Sequence, residues 1–240
     1  PNWKGNQGQD MKYKHLKGAN VAIVAMGKSN GNYNTALANG HEYDEVWGIN
    51  VMGAIYPMDR IFMMDPASRF LDSDVAGGQT KPMRRMLTNE QPFPIYTCEL
   101  DDRCPSLVEY PLAAVIEDTK LCYFNNTGAY AIAYAVYQEV KSLSLFGLDY
   151  TYRHNLNIAE AGRACCEFWL ATAAARGIGL QIAPESSLLD TDVPPQEKLY
   201  GYHRLENPLV VQSEGNNLMI QRMSDAQLPP DPKDDGLYRG

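Results

Sequence analysis

Short apolar runs that alternate with helix-forming stretches constrain this chain more than any other feature of its sequence. Residues 21–26 (VAIVAM) form a continuous apolar run, too short for a helix and stopped by Gly27. That is the pattern of a strand covered on both faces of a sheet. The same texture returns at 45–51 (EVWGINV), 60–65 (RIFMMD), 94–98 (PIYTC), 121–124 (LCYF), 142–146 (SLSLF) and 179–183 (GLQIA). Helical stretches lie between the runs at 33–39, 81–87, 130–140 and 158–176. The last is rich in Ala, Leu and Glu, opens behind Asn155 or Asn157 as a cap, and closes at Gly177. Strand alternating with helix predicts an α/β fold: a Rossmann-like, mostly parallel sheet with helices on both faces. After Pro184 the texture changes. Val193, Pro194 and Pro195 break the regularity, 209–212 and 218–221 suit the arms of a hairpin, and 228–240 has the Pro, Asp and Gly content of a disordered or draped tail. The expected organisation is a polar leader at 1–18, a Rossmann-like domain at 19–190 and a small irregular C-terminal extension at 191–240.

Composition narrows the partners. The chain has 240 residues, 29 of them Asp or Glu against 21 Lys or Arg, for a net charge of -8, and its longest basic run is Arg84-Arg85. Duplex nucleic acid, which must be met by many cations facing phosphates, is disfavoured as a partner; a small cationic pocket is not. No apolar stretch reaches the ~20 residues needed to span a bilayer, and the first ten residues lack the apolar centre of a signal peptide. The expectation is therefore a cytoplasmic protein without a membrane span. Five cysteines, two of them adjacent at Cys165 and Cys166, read as reduced thiols, and their spacing does not supply a zinc site.

In an open parallel sheet, ligands bind beyond the carboxyl ends of the strands, where the strand order switches direction. Residues just after each apolar run are thus the candidates for function. After the first come Gly27, Lys28, Ser29 and Asn30, a small polar loop entering a helix. It is either a simple chain reversal or a set of backbone N–H groups for a phosphate. Asn50 follows the second run and Asp65 ends the third, where a carboxylate either caps the next helix or faces a ligand. Asn126, Thr127 and Gly128 place small polar residues at a helix start, as an N-cap or as a nucleotide face. The sixth run leads into Asp149, Tyr150, Tyr152, Arg153 and His154, the densest group of chemical side chains in the sequence. A histidine there can accept a proton from an attacking hydroxyl, and tyrosines can stabilise departing phosphate oxygens without a metal.

The order of these motifs resembles two related groups: the glycosyltransferase family 42 sialyltransferases, and the proteins similar to 6-hydroxymethylpterin pyrophosphokinase, which include the motility accessory factors. The resemblance spans residues 21–189. It implies that Gly27, Ser29 and Asn30 match a glycine-rich nucleotide loop, here without the usual proline, and that Asn50 contributes to nucleotide binding. It also implies that Thr127 and Gly128 open the helix facing the nucleotide. Asp65 with Pro66 is closer to the pyrophosphokinase-like group. Asp149, Tyr150 and Tyr152 fall on the segment that supplies phosphate-facing tyrosines, and His154 resembles the catalytic base. A strand ending in Pro184 and Ser186 follows the same pattern. The segment from Asp149 to His154 is much shorter than in the sialyltransferases, which insert a lid there.

Three functions follow from that resemblance. The first is a transferase that passes a sugar from a nucleotide-activated donor, CMP-linked or otherwise, to a hydroxyl acceptor, with no cofactor required, His154 as base, and Tyr150 and Tyr152 at the phosphate. The second is a Mg2+-dependent pyrophosphokinase acting on a pterin-like alcohol, with Asp65 and Asp149 holding the ion. The third is a nucleotide-binding module that has lost its chemistry. In each case a nucleotide is the expected partner, and a homo-oligomer that completes the site is compatible with the short segment.

Overall fold

The computed structural model describes residues 16–151, 156–194, 209–214 and 217–226. Contacts divide the chain into a first unit ending at Asp192 and a second beginning at Val193. The first unit is built on seven strands: β1 (Asn20–Val24), β2 (Glu45–Ile49), β3 (Arg60–Phe62), β4 (Ile95–Thr97), β5 (Leu107–Glu109), β6 (Ser142–Phe146) and β7 (Gly179–Ile182). They form one sheet in the order β5-β4-β3-β2-β1-β6-β7, and every neighbouring pair is parallel. The helices are α1 (Gly31–Ala38), α2 (Ser68–Leu71), α3 (Thr80–Thr88), α4 (Leu112–Thr119), α5 (Thr127–Tyr137) and α6 (Leu156–Ala175). This is the α/β architecture expected from the alternation of runs and helical stretches.

β1 explains why the runs are continuously apolar. Its side chains alternate between two cores: Val21 and Ile23 enter one, Ala22 and Val24 the other, and all four are fully buried. Val115 of α4, Ile132 of α5 and Trp169 of α6 close the first core. Tyr33 of α1, Phe70 of α2 and Met83 and Leu87 of α3 close the second. Helices therefore cover both faces of the sheet. At its amino-terminal edge, Glu45 of β2 and Arg60 of β3 form a bidentate pair, with Nε to Oε2 at 2.7 Å and Nη2 to Oε1 at 2.8 Å. Tyr96 and Tyr134 accept from the same guanidinium at 3.1 and 3.3 Å, and the Trp47 indole donates to Glu45 at 2.8 Å. Here a buried charge pair meets the partners that burial demands.

One expected strand is absent. Residues 121–124 are not in the sheet; the neighbouring strand is β5, followed by α4, and neither was anticipated. The apolar character of 121–124 serves the helices instead: Phe124 stacks on Tyr130 and on Trp169, and the Tyr123 carbonyl accepts from the Trp169 indole at 2.7 Å. In the second unit, β8 (Leu209–Glu214) and β9 (Asn217–Arg222) pair antiparallel, with Leu209 opposite Arg222 and Glu214 opposite Asn217. No helix among the described residues is long and apolar enough to cross a membrane.

Candidate functional site

The strand order switches direction at β1, which pairs with β2 on one side and β6 on the other. The chain leaves β1 through α1 on one face and enters β6 from α5 on the opposite face, so a crevice opens beyond the carboxyl ends of β1 and β6. A cavity of about 400 Å³ lies there, within the range of roughly 300–1,000 Å³ typical of small-molecule sites. Met26 and Gly27 after β1, Asn50 after β2, and residues 147–151 after β6 line it. Asn126, Thr127 and Gly128 at the start of α5, and Gln79 just before α3, complete the wall.

Its floor is a clasp between two loops. The Ser29 backbone N–H donates to Asp149 Oδ2 at 2.8 Å, the Ser29 hydroxyl donates to Asp149 Oδ1, and the Gly147 N–H donates to the same hydroxyl at 2.7 Å. Ser29 and Asp149 are both buried. The loops approach so closely that a Cβ on Gly27 would stand 2.5 Å from Asp149 Oδ2. At Gly147, where φ is +72°, a Cβ would stand 2.2 Å from the Ala25 carbonyl oxygen. The glycines are thus required by the clasp itself, and the Asp149 carboxylate sits against the 3-10 turn Lys28–Asn30, accepting from the Ser29 N–H. Ser29 and Asn30 lie behind the lining; the Asn30 N–H donates to the Gly27 carbonyl at 3.1 Å. Ser186 and Ser187, from the segment after β7, brace the same loop by donating to the Leu148 and Asp149 carbonyls, each at 2.7 Å.

The α5 wall is organised by Asn126. Its Oδ1 accepts from the Ala129 N–H at 3.0 Å and from the Tyr150 hydroxyl at 2.8 Å, while its Nδ2 donates to the Gly162 carbonyl at 3.1 Å. Thr127 and Gly128 then supply first-turn N–H groups that no earlier turn can accept from, at the positive end of the helix dipole. Tyr150, at φ 51°, fits because Gly162 of α6 has no side chain: a Cβ there would meet the ring at 2.6 Å. Its hydroxyl also contacts Cys166 Sγ at 2.9 Å, and burial pushes the Cys166 thiol up to about 12.

Two amides complete the wall without protein partners. Asn50 has φ 52°, a left-handed conformation uncommon outside glycine, and its Oδ1 is buried with no hydrogen bond. The Gln79 Oε1 is in the same condition. Both oxygens are covered in this conformation; a turn of either amide toward the cavity would let its oxygen accept from a ligand donor such as a base amino group or a sugar hydroxyl. Of the residues the sequence singled out, the cavity gathers Gly27, Asn50, Thr127, Gly128, Asp149 and Tyr150. Asp65 is not in its lining and pairs with Arg69 at 3.1 Å. Tyr152 and His154 lie outside the described residues. Gln79 was not anticipated, because it arrives from the β3–β4 crossover, where Gly77 and Gly78 were the only local signal.

A magnesium site formed by Asp65 and Asp149 does not fit this arrangement. Both Asp149 oxygens are committed to Ser29, Asp65 belongs to a different contact, and among the described residues no three His, Cys, Asp or Glu side chains converge as metal ligands.

No family model matches this chain, and no curated protein matches it. Among solved structures, it is similar to the sialyltransferase CstII from Campylobacter jejuni in complex with a substrate analogue, CMP-3FNeuAc. That chain is 18% identical, the match covers 70% of this chain and 81% of the other, and the TM-score is 0.45. A likeness of that degree carries no functional conclusion.

Proposed function

We propose that the switch-point cavity binds a nucleotide-activated sugar, most simply a CMP-linked one, and that the protein transfers the sugar to a hydroxyl acceptor. The observation that carries this reading is Asn50: a strained backbone at a strand tip, holding a buried amide oxygen without a protein partner on the wall of the cavity. The motif order from Gly27 to Ser186 supports the same reading.

Charge selects among nucleotides. The described lining contains no Lys, Arg or His, and its one ionisable acid, Asp149, is bound to Ser29. Such a wall suits the single phosphate of a monophosphate-linked donor, held by the α5 N–H groups, and its described residues supply no cation to a diphosphate or triphosphate. In the proposed reaction the acceptor hydroxyl loses its proton to His154 as its oxygen attacks the anomeric carbon. The bond to the phosphate breaks with inversion, and the nucleotide monophosphate leaves toward the α5 N-terminus and Tyr152. Tyr150 acts through Asn126, fixing the cap of α5. Asn50 and Gln79, on the cavity wall, would turn their amides to the base or ribose.

A thermal-shift panel of CMP, CDP, UDP, ATP and GTP, each with and without magnesium, tests the reading. CMP without metal at about 100 times its Kd should stabilise by ~2.7 kcal/mol. For a chain this long that raises Tm by roughly 5–10 °C. Stabilisation only by ATP with magnesium, or by no nucleotide, refutes it. Replacing His154 with Ala should abolish turnover and spare CMP affinity; unchanged turnover removes His154 from the reaction.

A further inference from the structure

The geometry points to a second, anion-binding site in the groove between α3 and the 3-10 turn Asn50–Ala54, built on Lys81 and Arg85 and suited to a phosphate- or carboxylate-bearing small molecule. The groove encloses about 730 Å³, and its wall includes Gly53, Ala54, Lys81, Arg85, Asn89 and Gln91, with no carboxylate in the lining. Lys81 and Arg85 are exposed and stand one helical turn apart on α3, so both heads can reach one anion.

What singles out Arg85 is the company the other arginines keep. Among the described residues 16–194, Arg60, Arg69, Arg84, Arg103, Arg163 and Arg176 each hold a carboxylate. Arg85 holds none, although the protein carries a net charge of -8. Its immediate neighbour Arg84 turns the other way, to Asp74 and to the Phe70 and Ser73 carbonyls. Lys81 is the second residue of α3, and the first turn has no acidic residue to pair with it. Asn89 and Gln91 are fixed at the groove's far end, their amide nitrogens donating to the Arg85 carbonyl at 2.6 Å and the Met86 carbonyl at 2.9 Å.

The site is separate from the proposed nucleotide cavity, although the turn Asn50–Ala54 contributes to both walls. It does not depend on the transferase reading. Calorimetric titration of the full chain with inorganic pyrophosphate and with citrate, at constant ionic strength, tests it. At least one probe should bind saturably with one-to-one stoichiometry. The Lys81→Ala/Arg85→Ala variant should lose at least tenfold in affinity, whereas Lys120→Gln/Lys141→Gln, which removes equal charge elsewhere, stays within twofold. Preference for pyrophosphate assigns a phosphate ligand, and preference for citrate a carboxylate. Absence of saturable binding by either probe, or an equal loss in the two double variants, overturns the proposal. The Lys81→Ala/Arg85→Ala variant should keep the wild-type thermal response to CMP, which separates failure of the groove from failure of the nucleotide site.

Discussion

Replacing Asp149 with Asn keeps the shape of the clasp and removes only its charge and one acceptor. In the native clasp, one carboxylate oxygen takes the Ser29 N–H and the other takes the Ser29 hydroxyl, which itself accepts from Gly147. An asparagine must turn its NH2 toward one of these groups. Facing the Ser29 N–H, it sets donor against donor. Facing the hydroxyl, it can donate to that oxygen's second lone pair but leaves the hydroxyl proton without its acceptor. Either way a buried donor is stranded, costing about 1–3 kcal/mol, and the charge assistance to the remaining bond is lost as well. The expected destabilisation is ~2–4 kcal/mol, measured by urea unfolding, with Tm falling by about 2–4 °C for each kcal/mol. Ser29→Ala should cost ~1–3 kcal/mol, and the double variant should fall short of the sum by about 1 kcal/mol or more because the two residues share the bond. If Asp149→Asn lies within about 0.5 kcal/mol of wild type, or the two changes simply add, the clasp is not what holds these loops together.

Two further perturbations probe the frame around the site. Arg60→Met strands the buried Glu45 carboxylate, leaving it the Trp47 N–H. It should cost about 3–5 kcal/mol by chemical denaturation, whereas replacing both partners with apolar residues should recover much of that loss; a cost below about 1 kcal/mol contradicts the description of that core. Cys166, buried and raised to about 12 from an ordinary 9.0, should resist iodoacetamide in the folded protein at pH 8, while exposed Cys98 and Cys122 are alkylated, as read by mass spectrometry. Because the unfolded chain releases this proton near 9.0 and the folded one only near 12, the linked stability is present below 9.0 and is lost as pH rises between the two. Denaturation midpoints that rise over that interval would reverse the sign.

The sheet was legible because burial on both faces leaves a plain mark: 142–146 is β6 to the residue, and residues 45–49 within the run 45–51 form β2. Legibility failed where an apolar run has another use. Leu121 and Phe124 pack against the helical core, and Phe124 stacks on rings of α5 and α6, so their apolar character could not be told from that of a strand. β5, only three residues long, offers too few positions for a pattern. At the site, the strand-tip rule found Gly27, Asn50 and Asp149. It also placed Thr127 and Gly128, although they follow irregular chain and not a strand. Their position comes from the Asn126 cap. Tip residues alone could not show that Ser29 and Asp149 are bound to each other, since they are 120 positions apart. Nor could they reveal Gln79, whose place depends on how the β3–β4 crossover lies over the crevice.

Calorimetric titration of CMP, without metal, into the wild-type protein and Asn50→Gly tests the central claim most directly. Glycine relieves the backbone at φ 52° and removes the amide, so folding stability should hold or rise by up to about 1 kcal/mol. Affinity should fall at least tenfold, about 1.4 kcal/mol. Equal affinity in both proteins, or no binding to either, would mean that the cavity at the strand switch does not hold a nucleotide through Asn50.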